Sequence, residues 1–102
     1  MQLVQLLLPL HDNDGRDFPP VYFNEVRAEL TERFGGVTAF IRAPAVGLWK
    51  ESAEDVNRDE VVMFEVLADE LDKSWWSTYR QQLQKKFRQD EVLMWASSIT
   101  RL

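Results

Sequence analysis

The chain has no cysteine. Disulfides, thiolate nucleophiles and cysteine-ligated zinc or iron–sulfur clusters are therefore excluded. It has one histidine, His11, so a Ser-His-Asp triad or a multi-histidine metal centre has no other imidazole to use. Basic residues are in the minority, 12 Lys and Arg against 17 Asp and Glu, for a net charge of −5. A protein whose main partner is a phosphate backbone needs a basic stripe, and nucleic acid is not expected here. Tyr22, Phe40 and Phe64 do not compose the aromatic motifs of an RNA-binding sheet. No apolar run approaches the ~20 residues of a membrane span, and no membrane partner is expected. The start, MQLVQLLLPLHD, is apolar but short and lacks a basic lead, so a cytoplasmic protein is expected rather than an exported one.

Glycine is scarce, four residues in all. Gly35-Gly36 follows a helical pattern and opens a strand pattern, the reverse of a phosphate-binding loop. Ser52, Ser74, Ser77, Ser97 and Ser98 lack a nucleophile-elbow context.

What remains is a chain of 102 residues, the length of a single domain spanning 1–102, able to bury a modest core. QLVQLLL at 2–8 reads as a strand with Val4, Leu6 and Leu8 on one face and Leu3, Gln5 and Leu7 on the other. Pro9 ends it, and HDNDGRD forms a turn-rich loop. A helix is expected from Pro19 or Pro20 to Phe34, with Phe23, Val26, Leu30 and Phe34 as its apolar stripe and Gly35-Gly36 as its cap. Val37–Ala43 reads as a second strand and Val61–Leu67 as a third. The last helix starts within Asp69–Asp72 and runs to Arg88, with Trp76, Tyr79, Leu83 and Phe87 inward. Its acidic start and basic end suit the helix dipole. Val92–Ala96 is the fourth strand. The order β-α-β-β-α-β is the ferredoxin-like α+β plan, a four-stranded antiparallel sheet with two helices on one face.

That plan leaves one sheet face without helices, yet each strand is mainly apolar on both faces. Contiguous apolar patches are rarely left open on a small soluble protein. A homodimer through the helix-free sheet face is the expectation.

The stretch FGGVTAFIRAPAVGLWKES, Phe34–Ser52, is β-rich but interrupted. Pro44 and Gly47 are expected to mark a bulge or bend, with Val46–Trp49 continuing the second strand toward the partner subunit. Arg42 and Trp49 are the ligand-contacting candidates within it. The following segment, Lys50–Glu60, is charged and reads as a solvated loop.

Trp75-Trp76 with Tyr79 and Arg80 is the densest aromatic cluster. Adjacent helical residues point about 100° apart, so one indole faces the core and the other a rim, a dimer contact or a pocket wall. Arg42, Trp49, Tyr79 and Trp95 are the side chains that could line an apolar cavity for a small molecule. His11, Asp12, Asp14 and Asp17 are potential metal ligands, but their spacing does not match an EF-hand, and a solvated turn is the expected reading. No metal and no cofactor is expected.

FPPVYF before the first helix, LTERFGGVTAFIRAPAVGLW through the second strand and RQDEVLMWA near the end resemble a family of small uncharacterised bacterial proteins. The resemblance covers nearly the whole chain and implies a ferredoxin-like domain of the dimeric α/β-barrel superfamily. That superfamily includes cofactor-free monooxygenases, haem-degrading enzymes, small isomerases and ligand-sensing domains. Haem-degrading members use an asparagine, a tryptophan and a helix histidine. Asn24 and tryptophans are present here, but neither helix carries a histidine. The functional expectation is a homodimeric interaction or small-ligand-binding module. The alternative is a cofactor-independent monooxygenase or isomerase of the barrel type. The candidate ligand-binding residues are Arg42, Trp49, Trp75, Trp76, Tyr79 and Trp95.

Overall fold

Alternation along Gln2–Pro9 buries Val4, Leu6 and Leu8 on one face of strand β1. A computed structural model describes residues 1–42 and 60–102 of the chain. Its elements follow the order β1 (Gln2–Pro9), α1 (Pro20–Phe34), β2 (Thr38–Arg42), β3 (Val61–Ala68), α2 (Lys73–Lys86) and β4 (Met94–Ser98). The four strands form one antiparallel sheet in the order β2-β3-β1-β4. This is the ferredoxin-like α+β arrangement, with the two long strands, β1 and β3, at the centre. The expected continuation of the second strand through Pro44 and Gly47 to Trp49 lies outside the described residues.

The helix ends show why they fall where they do. Pro19, extended at ψ 137°, leads into α1, and Pro20 occupies the first turn, where no amide hydrogen is needed. Gly35 closes the helix at φ 83°, a left-handed conformation that costs glycine little, and its N–H reaches the Thr31 carbonyl at 2.8 Å. At the start of α2 only one of the three candidate acids acts as the cap. The Asp72 carboxylate accepts from the Trp75 N–H at 3.0 Å, and Asp69 and Glu70 precede the helix. The far end stops two residues before the expected Arg88. Arg88 itself adopts φ 52°, and the Gln89 N–H turns back to the Gln84 carbonyl at 2.9 Å. A left-handed residue followed by this long return bond is a helix-terminating motif usually built on glycine.

Strand β4 begins two residues later than the apolar pattern suggests. Ser97 and Ser98 extend it, paired with Leu3 and Gln2. The partner strand sets the ladder here, because backbone pairing with β1 does not require apolar side chains.

The core lies between the sheet and both helices. Val4, Leu6 and Leu8 of β1 meet Val62, Phe64 and Val66 of β3, and Val26 and Leu30 of α1 and Trp76, Tyr79 and Leu83 of α2 cover them. Phe87, fully buried, is the hub at one end. Its ring contacts Phe18, Phe23 and Tyr22 at centroid distances of 5.0, 5.4 and 5.6 Å. Among the described residues no helix is long and apolar enough to cross a membrane.

Candidate functional site

Two regions hold the residues singled out by sequence. The first is the junction where α1 ends and α2 begins. Trp76 is the core indole, 5% exposed, and Trp75 is the half-buried one at the rim. Trp75 stacks on Tyr79 at 4.9 Å and meets Phe34 edge-on at 5.3 Å. Trp76 stacks on the other side of the cluster against Phe34 at 5.1 Å. The Arg33 guanidinium lies 4.4 Å from the Trp75 ring centroid and 3.6 Å from the Asp72 carboxylate that caps α2. One arginine thus joins the last turn of one helix to the first turn of the other, through a cation–π contact and an ion pair. Arg33 and Phe34 were not among the candidates. Their place at the end of the same helical turn that carries the glycine cap was the available signal.

This cluster contains two unusual atoms. The indole Nε1 of Trp76 and the hydroxyl of Tyr79 are buried and have no hydrogen-bond partner among the described residues. Burial, and then the charge of Glu29, push the Tyr79 phenol well above its usual range.

The second region is the helix-free face of the sheet. One cross-strand row runs Phe40, Met63 and Leu7, with the Leu93 carbonyl accepting from the Leu7 N–H at 3.0 Å. The next runs Thr38, Glu65, Gln5 and Trp95. The third runs Leu67, Leu3 and Ser97. Phe40, Leu67 and Leu93 are 40%, 47% and 54% exposed, whereas Met63 in their midst is buried. The polar row is internally satisfied. The Trp95 indole N–H donates to Gln5 Oε1 at 2.8 Å, and Gln5 Nε2 donates to Glu65 Oε1 at 2.9 Å. Gln5 can occupy an apolar face because both ends of its amide are used. A glutamine opposite a glutamate is legible only once the strand register is known.

The remaining candidates divide between other places. Arg42 pairs with Val61 at the end of β2 by backbone register. Trp49 lies outside the described residues. Tyr79 lines an open groove of about 420 Å³ between the helices, with Glu25, Glu29 and Lys86. Trp76 and Trp95 both line a smaller groove, about 230 Å³, beside β4. The Trp95 indole N–H turns to Gln5 on the helix-free face, whereas Trp75, Trp76 and Tyr79 belong to α2 on the other side of the sheet.

The His11 loop uses its polar groups on itself. Asp12 Oδ1 accepts from the N–H groups of Asp14 and Arg16, both at 2.9 Å, and His11 pairs with Asp17 at 2.9 Å. The Arg16 bond first, joined by the Asp14 bond and the Arg88 and Arg16 charges, outweighs desolvation and holds the Asp12 carboxyl below its usual range. Among the described residues no group of three acids and imidazoles is placed to hold a metal ion.

The fold and these surfaces define a ferredoxin-like α+β domain whose second sheet face, with exposed Phe40, Leu67 and Leu93, carries no helix among the described residues. No family model, curated protein or solved structure matches the chain.

Proposed function

We propose that the chain is a cytoplasmic homodimeric interaction module whose two copies meet through the helix-free face of the sheet. The observation that supports this reading is the run of Phe40, Leu67 and Leu93, exposed on a face that has no layer of helices over it. The satisfied Trp95–Gln5–Glu65 thread fits the same use. Polar groups that already bond one another can be covered without losing their partners. The net charge of −5 favours a protein surface over a phosphate backbone as what this face meets.

Geometry bounds the strength of such a dimer. Strands spaced about 4.8 Å apart and rising about 3.3 Å per residue give four strands of 8, 5, 8 and 5 residues a face of roughly 19 by 21 Å. Two such faces remove roughly 700–800 Å² from water before side-chain relief is added, below the ~1,200 Å² of the smallest standard interfaces. The dimer formed by this face alone is therefore weak and concentration-dependent, with a dissociation constant of about a micromolar or more.

Sedimentation velocity over a concentration series tests this. The expected result is a shift from one to two chain masses, abolished in Leu93→Glu and Leu67→Glu. Both leucines are about half exposed in the single chain, so the substitutions spare its fold. A monomer at every concentration, or a dimer indifferent to both glutamates, overturns the proposal.

A further inference from the structure

Helix α2 does not cover the sheet as far as its edge. Met94 and Ala96 of β4 lie in register with Leu6 and Val4, on the helix side of the sheet. Leu6 and Val4 are buried, but Met94 is only half-buried and Ala96 is exposed. The uncovered strip is the floor of the 230 Å³ groove, with Leu71 and Trp76 in its walls.

The polar lining is one-sided. Lys73, Ser77 and Arg80 recur at spacings of four and three along α2, which places them on one stripe beside the groove. No carboxylate joins them, although the chain has 17 acids against 12 bases. Neither cation makes an ion pair among the described residues, and Arg80 donates only a long bond, 3.4 Å, to Gln84. Trp76 belongs to the same lining, and its buried indole N–H has no acceptor among the described residues. Lys73 and Arg80 therefore stand beside an apolar floor, and among the described residues the only side-chain oxygen in the lining is the Ser77 hydroxyl. An arginine fork matches a carboxylate better than any neutral group.

We propose that this groove binds a small apolar carboxylate, its hydrocarbon part on Leu71, Met94 and Ala96 and its carboxylate at Arg80 and Ser77, with Lys73 adding positive field. The volume sets the size. A dry cavity of about 150 Å³ accepts a benzene ring, so 230 Å³ holds one ring with a short acidic arm. The floor of the site lies on the helix side of the sheet, and of its lining only Trp95 belongs also to the face proposed for the dimer.

Phenylacetate is the probe, and phenethylamine, with the same ring and the opposite charge, is the control. Each is titrated into the full ¹⁵N- and methionine-methyl-labelled chain while the tryptophan indole and methionine methyl resonances are followed. The expected result is saturable movement of the Trp76 indole and Met94 methyl signals, with a phenylacetate dissociation constant of about a millimolar or tighter. Phenethylamine binds at least about tenfold more weakly, and Arg80→Gln costs phenylacetate a similar factor, as loss of a charge-assisted hydrogen bond requires. Trp76→Phe assigns the indole signal. Should that variant not fold, the Met94 methyl carries the measurement in the unaltered chain and in Arg80→Gln, which breaks no ion pair among the described residues. Equal binding of acid and amine, indifference to Arg80→Gln, no saturable change, or movement confined to Met63 would each overturn the proposal.

Discussion

Removing the hydroxyl of Tyr79 should stabilise the protein. The residue is 3% exposed, and its hydroxyl has no partner among the described residues. A buried hydroxyl without a hydrogen bond carries a desolvation penalty of about 1–3 kcal/mol. Phenylalanine keeps the ring, its 4.9 Å stack on Trp75 and its contact with Trp76, and leaves a gap the size of one oxygen. Set against the loss of that atom's packing, the net gain is about 1 kcal/mol, or about 4–8 °C in Tm for a domain near this size. Urea denaturation at neutral pH reads the change as a higher midpoint at unchanged slope. The pH dependence supplies a second signature. The phenol holds its proton more tightly folded than unfolded, because of burial first and the Glu29 charge second. The folded state keeps a proton that the unfolded chain gives up above pH about 10, so the Tyr79 contribution is complete below that pH and is lost as pH rises further. Tyr79→Phe lacks this component, and its advantage should widen in alkali. A loss of about 1 kcal/mol in Tyr79→Phe would refute the reasoning, since it would mean the hydroxyl is bonded in solution.

Two further substitutions test the packing and the helix end. Phe87→Ala should cost about 3–5 kcal/mol in denaturant melts, a large share of a domain's stability, because the ring is fully buried among Phe18, Tyr22 and Phe23; a loss under about 1 kcal/mol would contradict that hub. Arg88→Gly should raise stability by about 0.5–1 kcal/mol, since φ 52° suits glycine and only a 3.7 Å exposed ion pair to Asp12 is lost; destabilisation would show that Arg88 contributes more than its backbone conformation suggests.

The order of elements was legible because the apolar periods are clean. Trp76, Tyr79, Leu83 and Phe87 form one stripe and are all buried, and Val4, Leu6 and Leu8 alternate as expected. Helix ends were less legible where several residues competed. Three acids precede α2, and only the hydrogen bond from Trp75 to Asp72 selects the cap. The stop at Arg88 was invisible because a left-handed arginine has no compositional signal. The same limit applies to the surfaces. The sequence shows that Gln5, Glu65 and Trp95 are on strands, but only the register aligns them into one thread. The groove beside β4 depends on how far α2 reaches across the sheet, a distance that local periodicity does not encode.

The proposed dimer is tested most directly by isotope-filtered NMR on a mixture of labelled and unlabelled chains, which detects only contacts between subunits. The sheet-face dimer predicts intermolecular signals among the side chains of Leu3, Leu7, Phe40, Leu67 and Leu93, and none from the exposed surfaces of α1 and α2. Intermolecular signals from the helices, or none at a concentration where two chain masses sediment together, would contradict it.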